Sequence, residues 1–327
     1  MVTPTTGHAT LPDSDLDPEV RKFIRSVNRA MAELPAVAGA PHVQRRVRAE
    51  TVRALWATGG PEMAASSDQT VSTTAGAVRL RIHKPGNGLS PALVYLHGGG
   101  WTMFSVDTHD RLMREYAARA GCAVVGIDYA LSPEARYPTA LTQVVDVLCW
   151  LQRNGPGLGI DASRLAIGGD SAGANLAVAS CLALRDSKNA GLPLAMILSY
   201  GAFSTACSSH ACRRYGGPDY MLSCEEMSGF WRDYLRNEAD AQDPLACPLL
   251  ARLDGLPAVF LGIAECDILA EQNLQMAARL QAAGVPVVSR IYRGASHSFL
   301  EAVSVARVSD RALTDAATWL GCVLDTH

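Results

Sequence analysis

Arg164-Leu165-Ala166-Ile167-Gly168-Gly169-Asp170-Ser171-Ala172-Gly173-Ala174-Asn175-Leu176-Ala177-Val178-Ala179 is the stretch from which the fold is read. An apolar run, a G-x-S-x-G pentapeptide over residues 169–173 and then a helical pattern spell strand, sharp turn and helix. Such a turn needs tiny residues on both sides of the serine. A β-carbon at Gly169 or Gly173 would collide with neighbouring backbone. The serine is then held in a strained conformation, its hydroxyl raised over the carboxyl edge of a sheet. Taken alone, the pentapeptide also fits an ordinary Gly/Ser-rich turn; the correct flanks on both sides favour the nucleophile.

The rhythm on either side predicts an α/β protein. Residues 78–82 alternate like a half-exposed strand, and residues 92–96 form a continuous apolar run of the kind buried on both faces. Apolar runs recur at 122–127, 193–199, 258–263 and 287–292, separated by helical patterns at 110–120, 139–153 and 272–283, with a closing helix at 309–324. This alternation implies right-handed crossovers and a mostly parallel central sheet flanked by helices. Two helical patterns, 17–34 and 41–57, precede any strand, and residues 1–15 are polar and expected to be mobile. Residues 202–250 break the rhythm: no strand is evident, and a helix at 224–237 lies among Tyr215, Tyr220, Phe230, Trp231 and Tyr234. Both irregular segments are candidates for a helical cap. The glycine-rich stretch 155–159 leads from helix into strand, the wrong order for a phosphate cradle.

The chain has 327 residues, 48% hydrophobic and 19% charged, with a net charge of −3. That balance suits a soluble globular protein with a large core and gives no basic footprint for nucleic acid or an anionic membrane. No export signal is recognised and no apolar run is long enough to span a bilayer. A cytoplasmic location is expected, and the nine scattered cysteines read as reduced, mostly buried thiols. Cys207, His210, Cys212 and Cys224 match no standard zinc spacing, so neither metal nor cofactor is expected.

A serine hydroxyl needs a base within hydrogen-bond reach. The histidines after Ser171 are His210, inside the proposed cap, His327, on the tail, and His297, in a loop just past a predicted strand. His297 is the preferred base. The acid should follow a strand between the two; Asp267 fits, with Glu265 and Glu271 as rivals. The competing readings are an N-cap for Asp267 and a surface loop for His297. Acyl hydrolysis also needs donors for a tetrahedral oxyanion. His97-Gly98-Gly99-Gly100-Trp101 follows the strand at 92–96, and its glycines leave backbone N–H groups free to converge. The expected donors are Gly99, Gly100 and the Ala172 N–H behind the nucleophile.

Together these segments resemble the hormone-sensitive-lipase-like group of α/β-hydrolases, bacterial lipolytic family IV. The likeness rests on residues 97–101, 107–110, 128–134, 169–173, 265–269 and 297–299. It implies an α/β-hydrolase fold with Ser171, Asp267 and His297 as triad, and Gly99, Gly100 and Ala172 as oxyanion hole. It also implies a catalytic domain over 61–201 and 246–327, and a cap built from 1–60 and 202–245. Short-chain carboxylic esters, acetyl to about hexanoyl, are the implied substrates, turned over through an acyl-enzyme. A homodimer paired through an edge strand is an analogy from the family. The sequence departs from it at Ser298, where glycine is frequent, and at Ser132, where alanine is usual. Trp101, Met103, Tyr200, Phe203, Tyr215 and Trp231 are candidate walls of an apolar substrate pocket, with cap-to-body packing as the commoner role for each. Glu134 is expected to satisfy backbone donors in a loop stiffened by Pro133 and Pro138. The alternatives are a deacetylase or amidase on an acetylated metabolite, and a binding protein on the same scaffold.

Overall fold

Helix α1 (Pro18–Glu33) shows how locally the chain encodes its elements. Asp17 caps it, its carboxylate accepting from the N–H groups of Glu19 and Val20 at 2.8 and 3.2 Å, with Pro18 in the first turn. Val20, Phe23, Ile24 and Val27 form its buried stripe, and it stops at Leu34, ahead of Pro35. The computed structural model describes residues 15–187 and 191–325. The segment 1–14 and the terminal His327 therefore lie outside the described residues.

In chain order there follow α2 (Pro41–Ala54), β1 (Ala65–Thr73), β2 (Gly76–Lys84), β3 (Ser90–Leu96), α3 (Asp110–Ala120) and β4 (Ala123–Asp128). Next come α4 (Thr139–Asn154), β5 (Ile160–Asp170), α5 (Ala172–Ser187), β6 (Ala195–Ser199), α6 (Ser209–Tyr215) and α7 (Cys224–Tyr234). The chain closes with β7 (Ala258–Cys266), α8 (Ala270–Ala282), β8 (Val287–Ser296) and α9 (Arg307–Asp325). The strands form one sheet in the order β1-β2-β4-β3-β5-β6-β7-β8. Only β2 runs against the rest: it pairs antiparallel with both β1 and β4, and the pairs from β4 through β8 are parallel.

The continuous apolar strands are sorted by their two-residue period. On β3, Ala92, Val94 and Leu96 enter the core shared with α4, α5 and α8, while Leu93 and Tyr95 enter the one shared with α1, α3 and α9. Both faces are thus covered, as a parallel sheet requires. β1 is the strand that sequence reading passes over. Its residues, ASSDQTVST, are mostly exposed, so it carries little hydrophobic signal and is held by its ladder to β2.

The insertion carries α6, α7 and two short 3-10 turns, and no strand among the described residues. Its cysteines overturn the expectation of reduced thiols. Cys212 and Cys224 are joined in a disulfide, with Cα atoms 5.9 Å apart across a separation of 12 residues. The reason is that the loop between α6 and α7 brings the Cys212 and Cys224 side chains within bonding distance. Cys122, Cys181, Cys247 and Cys266 are buried thiols, as expected. Among the described residues no group of His, Cys, Asp or Glu has the arrangement of a metal site. No described helix is long and apolar enough to cross a membrane.

Candidate active site

Ser171 stands between β5 and α5 at φ 53°, in the left-handed region that a non-glycine residue adopts only under constraint. That constraint is visible on both sides. Its N–H donates to the Ser199 carbonyl at 2.9 Å, and its own carbonyl accepts from Asn175 and Ala202, each at 3.2 Å. Strand and helix are so close that a β-carbon on Gly169 or Gly173 would run into the Leu96 carbonyl oxygen. The small residues flanking the serine are therefore a steric requirement of the turn.

The three side chains singled out for the chemistry come together. His297 Nε2 lies 2.9 Å from Ser171 Oγ, and His297 Nδ1 lies 2.7 Å from Asp267 Oδ2. They are separated by 126 and 30 residues in the chain, so the sheet is what unites them. All three are buried, Ser171 at 5%, Asp267 at 2% and His297 at 6% exposure, so the relay is shielded from bulk water. The second oxygen of Asp267 accepts from the Leu269 N–H at 2.9 Å; the N-cap position of α8 is Leu269 and no side chain caps that helix, so the capping role weighed for Asp267 is not the one it takes. Glu265, one rival, turns to the Gly294 N–H at 2.9 Å. With Asp267 accepting at Nδ1, the proton on the ring sits there and Nε2 faces the serine as acceptor.

Opposite the serine, the loop after β3 carries Gly99 at φ 106° and Gly100 at φ 59°, conformations that favour glycine. The Gly99 carbonyl points away, accepting from the N–H groups of Thr102 and Met103 at 3.1 Å. Among the described residues, the N–H groups of Gly99, Gly100 and Ala172 donate to no acceptor within the chain. Donors left open beside a serine–histidine pair are what an oxyanion hole consists of.

Asp170 fixes this loop, a role that the motif did not disclose. Its Oδ1 accepts from the Gly98 N–H at 3.0 Å and the Tyr95 hydroxyl at 2.8 Å, and lies 3.4 Å from His109 Nε2. Burial alone would raise its pKa; His109 and the hydrogen bonds outweigh that and hold it low. For His109 the same contest ends in a raised pKa, with burial opposed by the Asp170 charge and hydrogen bond. His97, stacked on Tyr129 with ring centres 4.2 Å apart, is brought down to about 4, chiefly by burial and then by His109. Asn175, Gln272 and Asn273 were also missed, because amides on helical patterns give no chemical signal. Asn175 donates to the Ala202 and Ala246 carbonyls, Gln272 accepts from the Phe203 and Ser204 N–H groups, and Asn273 clasps Gly201. Together they pin the chain just beyond β6.

The aromatic candidates divide. Trp101, Tyr200 and Phe203 are fully buried. Trp101 stacks on Tyr234 with ring centres 4.2 Å apart and packs against Trp231, which joins the oxyanion loop to α7. These three are packing residues, the commoner role weighed for them. Tyr215, edge-on to Tyr220, and Met103 keep partial exposure. Glu134 differs from its expected part: its partner is Arg46 of α2, at 2.6 and 2.7 Å, and this above all lowers its pKa to about 2. At Ser132 the hydroxyl donates to the Ala135 carbonyl at 2.9 Å. Ser298 sits at φ 57°, which explains why glycine is frequent there.

A family model described as alpha/beta hydrolase fold matches residues 93–301. The chain belongs to the α/β-hydrolase family. Within it, the chain belongs with the hormone-sensitive-lipase-like esterases. It is 36% identical over 267 residues to the acetyl esterase of Salmonella typhi, covering 81% of this chain and 82% of that one. It superposes on the hyperthermophilic esterase of Pyrobaculum calidifontis with a TM-score of 0.87 at 30% identity, covering 94% and 98% of the two chains. An ester hydrolase from the Lake Arreo metagenome, solved with a bipyridine phosphonate derivative, gives 0.86 at 31% identity over the same shares. The protein is a carboxylesterase-type serine hydrolase.

Proposed function

We propose that this α/β-hydrolase cleaves short-chain acyl esters, acetyl to about hexanoyl, through an acyl-enzyme on Ser171. The observation that carries the reading is the relay Ser171–His297–Asp267 facing three open N–H groups. In the first half-reaction Ser171 Oγ attacks the ester carbonyl while its proton passes to His297 Nε2. The developing oxyanion is met by the N–H groups of Gly99, Gly100 and Ala172. Collapse of the tetrahedral intermediate breaks the acyl C–O bond, and the alcohol leaves with the proton from His297. Water then attacks the acyl-serine with His297 again as base, releasing the acid and restoring the hydroxyl. Asp267 stays ionised, orients the ring and stabilises the imidazolium.

The preference for short acyl chains is supported by the closure around the serine. The Phe230 ring lies so near Gly100 that a β-carbon there would strike it, and the Trp101–Trp231–Tyr234 stack fills the space behind the oxyanion loop. A relative named as an acetyl esterase points the same way. In this reading α1, α2 and the α6–α7 insertion form a cap over a catalytic domain of residues 61–201 and 246–327. Arg46, bound to Glu134 and to the Thr102 and Ser132 carbonyls, is a strut between cap and body. A cytoplasmic location remains part of the proposal, although the Cys212–Cys224 disulfide removes the reduced-thiol argument for it. The test is a series of p-nitrophenyl esters from acetate to laurate beside p-nitroacetanilide. Turnover that peaks by about hexanoate, with negligible anilide cleavage, is expected. Preference for laurate, or for the anilide, would overturn the short-chain ester assignment.

A further inference from the structure

Arg53 and Glu301 form an ion pair that the chemistry above does not use. Arg53, on the last turn of α2, places Nη1 3.0 Å from Glu301 Oε2, and both side chains are buried, at 6% and 4% exposure. Glu301 lies in the short 3-10 turn Phe299–Ser304, four residues after His297. Neither of its carboxylate oxygens accepts a well-aligned hydrogen bond, so opposite charge is what holds the pair. Arg53 is further enclosed by the Phe23 and Phe104 rings at 5.5 and 5.3 Å, and its Nη2 donates to Met221 Sδ at 3.4 Å. The Met221 N–H in turn reaches Ser296 Oγ, beside His297, at 3.4 Å.

A buried ion pair is a poor device for stability alone. Its desolvation cost rivals the attraction it gains, and an apolar pair of similar volume would serve packing as well. Removing one member, by contrast, leaves an uncompensated charge in a low-dielectric interior, where it is felt by its neighbours. His297 is the relay member on the same loop, four residues before Glu301. Tyr200 stands edge-on to His297 with ring centres 5.0 Å apart, and packs on Phe299 of the turn that carries Glu301. Other ionisable groups facing this region are the Tyr200 hydroxyl, which has no hydrogen-bond partner among the described residues, Tyr116, His109 behind Phe104 with Asp170 beside it, Glu50 one turn earlier on α2, and Asp267 on the far side of the ring. The bridge from the N-terminal helices to the histidine loop is the Arg53–Glu301 pair.

We infer that Arg53 and Glu301 are positioning residues that join the N-terminal helices to the histidine loop and cancel each other's charge beside it. This rests on His297 being the base. Two single substitutions then act in opposite directions. Arg53→Gln leaves a bare carboxylate, which favours the imidazolium. The acidic limb of the pH profile of kcat/KM should move to higher pH by about half a unit or more. Glu301→Gln leaves a bare guanidinium, which disfavours the imidazolium, so the limb should move to lower pH by a similar amount. The double variant should return it to near the wild-type position.

The experiment is the pH profile of kcat/KM for p-nitrophenyl butyrate with the four proteins, each checked for folding by circular dichroism. Opposite shifts that cancel in the double variant establish the inference. A purely structural pair would lower melting temperature or kcat with the limb fixed, and that result overturns it. Glu301→Gln is isosteric, so its direction alone decides should the arginine variant fail to fold. If Ser171→Ala kept full turnover, the esterase reading itself would fall. A dead Ser171→Ala beside unmoved limbs would sink only the role given to this pair.

Discussion

The Asp170 carboxylate accepts from the backbone N–H of Gly98 at 3.0 Å. The residue just before the serine thus anchors the first glycine of the loop that carries the proposed oxyanion donors. Two segments more than 70 residues apart are locked to each other. Positioning is the whole value of such donors, since they act only if aimed beforehand at the place where charge develops.

Asp170→Ala should therefore lower kcat by one to two orders of magnitude while KM changes much less, because the donors would lose their aim. The buried Tyr95 hydroxyl and Gly98 N–H would also lose a partner, a loss of about 1–3 kcal/mol in stability for each such group. Steady-state kinetics with p-nitrophenyl butyrate and a urea melt of the same sample check both. Unchanged kcat would mean that the loop holds its shape unaided.

Asp267→Asn should keep the fold and reduce kcat by about three to four orders of magnitude, since an amide can hold the imidazole in the wrong tautomer. Similar turnover in wild type and variant would return the acid role to Glu265 or Glu271. Single-turnover kinetics on a fluorogenic acetate would report it.

His97 is one group through which acid weakens the fold. Its folded pKa, about 4, lies below the ordinary 6.5, with burial first among the causes. The contribution is thus fully present above pH 6.5 and is lost as pH falls through about 4. Over that window the unfolded chain binds one more proton, and stability drops by about 3 kcal/mol. A His97→Phe variant, whatever its absolute stability, should show a flatter curve of unfolding free energy between pH 7 and pH 4. Parallel curves for the two proteins would contradict the assignment.

The Cys212–Cys224 bond closes a short loop in the insertion, and releasing it should cost about 3 kcal/mol for a loop of this length. Cys212→Ser is expected to lower the melting temperature by several degrees. Dithiothreitol should do the same to the wild type and nothing more to the variant. Intact mass under non-reducing conditions should fall 2 Da below the fully reduced value. A full complement of thiols in the purified, air-exposed protein would count against the bond.

Ser298 at φ 57° gives a sharper local test. Ser298→Gly relieves about 1 kcal/mol of left-handed strain and loses about as much to unfolded-state entropy, leaving stability and activity almost unchanged. Ser298→Val cannot adopt that conformation cheaply and should cost about 2 kcal/mol, with His297 displaced and kcat reduced. Thermal melts of the two variants separate them.

Where sequence reading succeeded, the signal was local and dense. Residues 92–96 and 165–169 carry no charged or polar side chain other than the Tyr95 hydroxyl because both faces of the sheet are covered, and the pentapeptide at Ser171 has few alternative geometries. His297 and Asp267 were legible because each follows a recognisable strand. What escaped was either polar or distributed. β1 hides because a mostly exposed edge strand needs no hydrophobic period. The Cys212–Cys224 bond depends on the path of the loop between α6 and α7, which no spacing rule encodes. Arg46, an ordinary helix arginine by sequence, becomes a strut to Glu134 only when α2 is laid against the loop after β4.

The central claim is that the Ser171 hydroxyl itself becomes esterified. Intact-mass and peptide mapping after brief exposure to a fluorophosphonate, on wild type and Ser171→Ala, tests it most directly. A single adduct on Ser171, absent from the variant, together with loss of p-nitrophenyl butyrate turnover, is the predicted result. An adduct at another residue, or a Ser171→Ala protein that still turns over the ester, would contradict it.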